Sequence, residues 1–369
     1  MSNTVTKVRE PLIRISKRAS IVWWKAWLIR AAAIILAFLL CAVIIVLMTG
    51  QNPIAVYGSL FAGNFGSKRK IMIMIHKTAI LLCIALGVTP AFKMKFWNIG
   101  AEGQVLMGCM ASAACMIYLG DKLPTALMVP VTLVASMAAG VLWSVIPAIF
   151  KAKWNTNETL FTLMLNYVAT QLVAYAITFW ENPSGSNSVG IINPNSQGGW
   201  MPVIGGQKYL LNILVVAVLT IVMYIYLMYS KHGYEISVVG ESQNTARYIG
   251  IDVKKVIIRT MIFTGCIMGL IGMMIVAGTD HTISVDTVGG QGFTAIMVSW
   301  LAKFNPIFMT FTSFLLIFMQ RGASEIATTF RLNESVADVL TGVILFFIIG
   351  CEFFINYKIN FRHAHKEGK

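Results

Sequence analysis

The sequence Asn-Ile-Gly-Ala-Glu-Gly-Gln at residues 98–104 decides the fold, because it places polar side chains between two long apolar runs. Residues 71–92 before it are mostly apolar, and residues 105–119 after it are almost wholly apolar. An ionised glutamate is costly at membrane depth and normally faces a cavity or a polar partner. Glu102 therefore predicts a pathway or a polar contact inside a membrane-embedded segment.

Two glycines in this stretch indicate how the backbone behaves there. Gly100 and Gly103 permit close approach of backbones, or a break in a helix that lines a cavity. The alternative is a loop at the membrane surface with a solvated Glu102, because Lys93 and Lys95 lie just upstream. Both interpretations remain open from these residues alone.

The composition sets the class of protein. Apolar residues make up 57% of the 369 residues and charged residues only 12%, which is about half the charged fraction of a typical soluble domain. We therefore predict an all-α polytopic membrane protein with about ten spans, each needing roughly twenty apolar residues. The candidate spans are 27–49, 71–92, 98–119, 124–150, 159–180, 209–229, 255–278, 289–303, 305–321 and 336–357.

The eighth candidate span, 289–303, is short and rich in glycine, which predicts a broken or re-entrant element. Its opening Gly-Gly-Gln-Gly-Phe at 289–293 echoes Gly-Ala-Glu-Gly-Gln at 100–104. Spans three and eight would run in opposite directions, as in a five-plus-five inverted repeat with the site between the halves. Chance similarity between glycine-rich turns is the alternative.

The net charge of +14 is concentrated at the two ends of the chain. Basic residues beside membrane spans face the cytoplasm, so we expect both termini to be cytoplasmic and the number of crossings to be even. This distribution argues against nucleic-acid binding. We predict a basic cytoplasmic segment at 1–26, a transmembrane domain at 27–357 and a basic cytoplasmic tail at 358–369. The basic residues are Lys7, Arg9, Arg14, Lys17, Arg18 and Lys25 before the first span, and Lys358, Arg362, Lys366 and Lys369 after the last.

Two connections are longer than the others. Residues 181–208 are rich in Gly, Ser, Asn and Pro, which predicts an ordered outer loop or lid, or else a plain solvated linker. Residues 230–254 face the cytoplasm in this topology and interleave charged with apolar residues, which predicts a short amphipathic helix at 235–250 that docks on a soluble partner. In that helix Gly240 would allow a sharp turn and Glu241 would accept backbone N–H bonds at the helix N-terminus.

Familiar enzyme motifs are missing from the chain. We find no GxxxxGK[ST] phosphate loop, no HExxH and no GxSxG, so we expect no enzyme activity, no cofactor and no metal site. If ATP drives transport, a separate ATPase subunit must bind it. The cysteines read as small apolar residues without metal spacing; they are Cys41, Cys83, Cys109, Cys115, Cys266 and Cys351.

Four stretches resemble bacterial ABC-transporter permeases of the nucleoside and simple-sugar importer family. Residues 97–104 resemble that family's Phe-Asn-Ile-Gly-Ala-Glu-Gly-Gln stretch, with Trp97 where the family usually has phenylalanine. Residues 157–167 resemble the start of its fifth span, and 289–296 resemble its glycine–phenylalanine element. Residues 239–251 resemble its cytoplasmic coupling segment.

This resemblance implies a set of partners and a location. Such permeases work in pairs around one pathway, and the second permease is usually a different, shorter chain. A cytoplasmic ABC ATPase docks on the coupling segment, and an extracytoplasmic lipoprotein delivers the solute. The location implied is the bacterial cytoplasmic membrane. Thr245, Ser299 and Trp300 depart from the family pattern, which puts the substrate in doubt.

The candidate site residues fall into two sets. Asn166, beside Tyr167 in an apolar span, predicts either an interhelical hydrogen bond or a substrate contact. Ala246 and Ile249, three positions apart, would share the face of the coupling helix that enters a partner's groove. The candidate pathway residues are Asn98, Glu102, Gln104, Asn166, Gln291 and Phe293, and the candidate coupling residues are Gly240, Glu241, Asn244, Ala246 and Gly250.

Three functions compete at this stage. The first is the membrane subunit of an ATP-driven importer for a nucleoside or related sugar. The second is an ion-coupled secondary transporter working through Glu102, which would need no docking helix at 230–254. The third is a membrane enzyme, which would want clustered His or Asp near one leaflet. Nucleobases suit stacking on Phe or Trp, so a nucleoside ranks above a plain sugar.

Overall fold

The computed structural model describes residues 13–18, 21–50, 52–331 and 334–361, and most of them are helical. The predicted basic residues Lys7, Arg9, Arg362, Lys366 and Lys369 lie outside the described residues. The helices are α1 (Trp23–Thr49), α2 (Pro53–Phe65), α3 (Lys68–Lys93), α4 (Ala101–Leu119), α5 (Thr125–Trp154), α6 (Glu158–Trp180), α7 (Leu210–Tyr229), α8 (Lys231–Glu241), α9 (Gln243–Tyr248), α10 (Val253–Ile275), α11 (Gln291–Leu301), α12 (Pro306–Thr329) and α13 (Glu334–Asn356).

Within the described ranges, nine helices are long and apolar enough to cross a membrane. They coincide with nine of the ten predicted spans, and the all-α polytopic fold is thereby confirmed. The eighth predicted span is α11, a helix of 11 residues. At 1.5 Å per residue it is about 16 Å long, roughly half the hydrocarbon thickness. The short, glycine-rich segment is therefore a half-helix.

The chain divides into two compact units, residues 1–64 with 319–369 and residues 65–318. In the first unit, strand β1 (Ile13–Lys17) pairs antiparallel with β2 (Tyr357–Phe361). This pairing places the residues before α1 beside those after α13. An even number of crossings with both termini in the cytoplasm stays a prediction.

Two features of the first unit were not predicted. Residues 53–65 form helix α2, whereas the sequence predicted a loop from 50 to 70. Its Gly63 approaches α12 so closely that a Cβ there would lie 2.5 Å from Cβ of Glu325. The second feature is an ion pair between Arg30 of α1 and Glu352 of α13, 2.6 Å apart, which joins charged groups that hydrocarbon would otherwise leave unpaired.

In the second unit, α3 and α10 are the most buried spans. Small residues bring α10 against its neighbours. A Cβ at Gly265 would collide with Ser144 of α5, and one at Gly272 would collide with the backbone of α4 at Cys109. The small-residue spacing in this span therefore serves close helix packing. A π-helical turn, Val276–Asp280, extends α10 at its far end.

The long connection 181–208 is ordered. The Trp200 indole donates a hydrogen bond to the Ile192 carbonyl, 2.9 Å away, and its ring stacks on His281 with centroids 3.7 Å apart. The Met201 N–H donates to the Ala277 carbonyl at 2.9 Å. These contacts fix the segment to the end of α10 and favour the ordered-loop interpretation over a solvated linker.

Candidate functional site

Two broken helices meet at one carboxylate. Helix α4 begins directly after the 94–100 break, and α11 begins after Gly290, whose φ of +72° favours glycine. Glu102, in the first turn of α4, accepts hydrogen bonds from the N–H groups of Gly290 (2.8 Å) and Gly292 (2.7 Å). The first N–H groups of a helix have no internal partner and carry partial positive charge. Glu102 therefore occupies the positive ends of both helices.

This contact also explains a glycine in α11. A Cβ at Gly292 would lie 2.5 Å from the backbone nitrogen of Glu102, so the two helix starts approach as closely as backbones can. Because the carboxylate is held by two N–H groups from a segment almost two hundred residues away, Glu102 is part of the packed interior. The alternative of a solvated surface loop is not favoured.

Helices α4 and α11 run in opposite directions from this meeting point. α11 ends where Trp300 stacks on Trp97, just before the 98–104 stretch. α4 ends near the long connection, where the Asn193 amide donates to the Met116 carbonyl at 2.7 Å. Opposite directions are what the sequence echo predicted for spans three and eight. The full five-plus-five repeat remains a prediction.

The amides of Asn98 and Gln104 satisfy each other. Nδ2 of Asn98 donates to Gln104 Oε1 at 3.2 Å, and Nε2 of Gln104 donates back to Asn98 Oδ1 at 3.1 Å. The same Asn98 oxygen accepts the Gly100 N–H at 3.2 Å. Both side chains are buried. The two side chains bridge the break with their mutual hydrogen bonds and present no free polar atom to the outside.

Helix α6 holds the break from the other side. Oδ1 of Asn166 accepts the Gly103 N–H at 2.8 Å, and Nδ2 donates to the Ile99 carbonyl at 2.9 Å. Thr162 Oγ1 accepts the Ile99 N–H at 3.1 Å. Asn166 is therefore an interhelical anchor, the simpler of its two interpretations. Thr162, which the sequence offered only as part of a motif, proves to be an anchor of the same break.

Gln291 and Phe293 are placed differently from the other four candidate pathway residues. Phe293 leaves 44% of its surface exposed. Oε1 of Gln291 has no hydrogen-bond partner among the described residues. Phe293 is thus the exposed side chain at the start of α11, whereas the Gln291 Oε1 is buried. Across the described chain, no group of three His, Cys, Asp or Glu side chains is placed to hold a metal ion.

The coupling segment is two helices, whereas the sequence predicted one at 235–250. Ser230 caps α8 by accepting the Gly233 N–H at 3.0 Å. Ser242 is extended and caps α9 by accepting the Thr245 N–H at 3.2 Å. Glu241 is the last residue of α8 and is exposed, so the predicted capping role belongs to Ser242, because its hydroxyl lies one residue closer to the free N–H groups.

Two of the predicted coupling residues point into the protein. A Cβ at Gly240 would collide with the Lys93 carbonyl oxygen at the end of α3, so this glycine permits helix packing and makes no turn. Ala246 is fully buried. Ile249 lies beyond the end of α9 and is exposed, so the prediction that Ala246 and Ile249 share an outer face is wrong.

The outward surface of this segment belongs to other residues. Tyr248 is 92% exposed, and Ile249 beside it is half exposed. Asn244 is also exposed, as is Gly250, whose φ of +84° suits the turn between α9 and α10. An exposed tyrosine next to an exposed isoleucine is an apolar surface of the kind enriched at protein interfaces.

The segment is fixed firmly to the spans. An ion pair joins Glu235 of α8 to Arg259 of α10, with an N–O distance of 2.6 Å. The Lys93 ammonium donates to the Leu227 carbonyl at 3.1 Å. One apolar cluster unites the segment with the ends of α3, α5 and α10; it includes Ala91, Ala148, Ile236, Val239, Ala246, Val256 and Met261. A force applied to α8 and α9 therefore reaches three spans.

Comparison with known proteins finds transport permeases. Residues 71–349 match the family described as branched-chain amino acid transport system / permease component. The nucleoside ABC transporter permease protein of Lactococcus lactis is 30% identical over 87% of this chain and 90% of its own length. The guanosine ABC transporter permease protein of Bacillus subtilis is 28% identical over 87% and 92%.

A third relative broadens the range of substrates. The glucose ABC transporter permease protein of Haloferax volcanii is 24% identical over 94% of this chain and 93% of its own length. No solved structure matches the chain.

Proposed function

The chain belongs to the family of branched-chain amino acid transport system permease components, and from that premise we propose that it is the permease subunit of an ABC importer for nucleosides. The family and the nine apolar helices make it a multi-pass protein of the cytoplasmic membrane. Relatives named for nucleosides, guanosine and glucose support a neutral solute over an amino acid.

The observation that carries this proposal is the position of Glu102. Helix starts inside a membrane commonly bind anionic substrate groups, such as the carboxylate of an amino acid. Here a carboxylate of the chain itself fills both helix starts. An amino acid would place its carboxylate against this negative charge, whereas a nucleoside or a sugar carries no charge to be repelled.

The choice of a nucleoside over a sugar rests on the side chains that remain available. The exposed Phe293 ring can stack on a nucleobase, whereas the Gln291 Oε1, two residues earlier, is buried. The four other candidate pathway residues hold the two helix starts in place and do not touch the solute directly. They are Asn98, Glu102, Gln104 and Asn166.

The same proposal assigns the partners. A cytoplasmic ABC ATPase docks on Tyr248 and Ile249, and its motion reaches the spans through the Glu235–Arg259 pair and the apolar cluster. A second, shorter permease completes the pathway, and an extracytoplasmic lipoprotein delivers the solute. ATP is bound by the ATPase, so this chain needs no cofactor. An ion-coupled secondary transporter is disfavoured, because the relatives are named as ABC permeases.

The test is ATP-dependent uptake by the complex in proteoliposomes. We expect labelled guanosine to enter when ATP is present inside on the ATPase side, unlabelled adenosine to compete, and leucine to have no effect. Competition by leucine at equal concentration would overturn the argument from Glu102. Uptake by this chain alone, without an ATPase, would instead support the secondary transporter.

A further inference from the structure

One face of α11 exposes aromatic rings in a regular pattern. Phe293 and Trp300 are 44% and 45% exposed. They lie seven residues apart, which is about two helical turns or 10 Å along one face. The opposite face of the helix is packed against the protein; its members Gly292, Ala295, Val298 and Ser299 are buried. Helix α11, whose first turn donates to Glu102, thus carries a row of aromatic rings along its exposed side.

A second tryptophan widens the end of this stripe. Trp97 stacks on Trp300 with ring centroids 5.6 Å apart and an interplanar angle of 23°, and it is 46% exposed. The buried Phe92 contacts both indoles edge-on, at 5.9 and 6.2 Å. Phe304 contacts Trp300 at 5.1 Å. Rings behind the pair hold it in one geometry while nearly half of each indole stays uncovered.

We propose that Trp97, Trp300 and Phe293 form an aromatic track on which the nucleobase of the solute stacks as it passes α11. The inference rests on the proposed nucleoside function and names the part of the solute that the protein recognises. Base–aromatic stacking tolerates any base, because every base has a flat π-face, and an alanine substitution typically costs about 1–3 kcal/mol per base. A sugar offers no such face.

The location of the pair supports this occupant over lipid. Trp97 immediately precedes the 98–104 break. Trp300 lies in the last turn of α11, and the first turn of the same helix donates a hydrogen bond to Glu102.

The first experiment compares three single variants in the reconstituted importer with adenosine, uridine and ribose as solutes. We expect Trp300→Leu to raise the KM for both nucleosides about tenfold, which is the loss of about 1.4 kcal/mol of stacking. Trp300→Phe keeps a ring and is expected to stay within about threefold of the wild type. Trp154→Leu is the matched control, because Trp154 is exposed at the end of α5 and its ring contacts Phe150, which is not part of the track.

The two proposals are tested by different measurements. Wild-type uptake of nucleosides tests the proposed function, and the leucine variant tests the track. An unchanged nucleoside KM in Trp300→Leu, in a complex that still imports nucleosides, overturns the track and leaves the function standing. Loss of assembly or equal loss of any ribose uptake in both Trp300 variants also overturns it, because the pair would then serve packing or contact with the second permease.

A second readout is independent of transport rate. Adenosine added to the purified complex is expected to quench tryptophan fluorescence through the exposed indoles. The double variant Trp97→Phe with Trp300→Phe should remove most of this quenching while the complex stays folded, and Trp154→Phe should leave it unchanged. Equal quenching in the wild type and the double variant would overturn the track.

Discussion

The 97–104 break and the α8–α9 coupling segment make opposite use of their residues. In the break, polar side chains turn inward, where Asn98 and Gln104 satisfy each other and Asn166 satisfies the backbone. In the coupling segment, apolar and small residues turn inward, where Gly240 and Ala246 pack on the spans. In hydrocarbon a polar group must find a partner within the protein, whereas near water an apolar group gains by burial.

The two regions share one feature. In both, most side chains with the strongest sequence signal make contacts inside the protein. The exposed side chains are Phe293 at the start of α11, which was a candidate, and Tyr248 and Ile249 at the coupling segment, of which Tyr248 was not. The predictions below test this division.

The largest effect is expected from Ala246→Trp. Ala246 is fully buried in the apolar cluster, so a tryptophan there overpacks the junction of α9 with the spans. We expect a loss of about 3 kcal/mol or more of folding free energy, seen as a large fall in the melting temperature of the detergent-solubilised permease. Ile249→Trp is the control and should leave the melting temperature unchanged. Equal melting temperatures for both variants would break the inward assignment of Ala246.

The second largest effect is expected from Glu102→Ala. It leaves the Gly290 and Gly292 N–H groups without their acceptor, and each charge-assisted hydrogen bond contributes about 1.5–3 kcal/mol. We expect a lower melting temperature together with loss of uptake, and a smaller loss of both in Glu102→Gln. Glu241→Gln, at the exposed end of α8, is the matched control. Loss of uptake in Glu102→Gln with unchanged stability would indicate direct contact with the solute instead.

Tyr248→Ala should affect the partner and leave the fold intact. Because the side chain is almost fully exposed in this chain, we expect an unchanged melting temperature. A buried tyrosine at an interface commonly contributes about 2 kcal/mol or more to binding, so co-purification of the ATPase should fall sharply. Glu241→Ala, also exposed, is expected to have a weaker effect. Full ATPase binding by Tyr248→Ala would place the docking surface elsewhere.

The smallest effect concerns the junction between the coupling segment and α10. The pKa of Asp252 is lowered from its ordinary value, first because its carboxylate accepts the Lys255 backbone N–H and also because the Lys255 ammonium lies nearby. Its stabilising effect is therefore present above the unfolded pKa of about 4 and is lost as the pH falls through the lower folded value.

Hydrogen exchange at the first turn of α10 should accordingly quicken only in acid below about pH 4. Asp252→Asn, which keeps a capping oxygen without a charge, should remove this pH dependence. A pH dependence that persists in Asp252→Asn would show that another group is responsible.

Some of this architecture follows from the sequence alone. The lengths of the apolar runs predicted the nine long helices among the described residues, because the transfer of a helix into hydrocarbon depends on its own composition. The bounds agree within four residues except at the end of α12, which extends eight residues beyond the predicted 321. The glycine-rich character of 289–303 indicated a broken element for the same local reason. Four motifs in order indicated the family, which residues 71–349 then matched.

Only the tertiary structure determined which groups meet. Glu102 finds its donors 188 and 190 positions away, and Trp97 finds Trp300 across a similar separation. Helix periodicity does not predict such contacts, because they depend on how spans pack after each has formed. Packing also determined three other features: the burial of Ala246, the cap at Ser242 and the pairing of β1 with β2. Local composition determined where the chain crosses the membrane, and packing determined which side chains remain free for a solute or a partner.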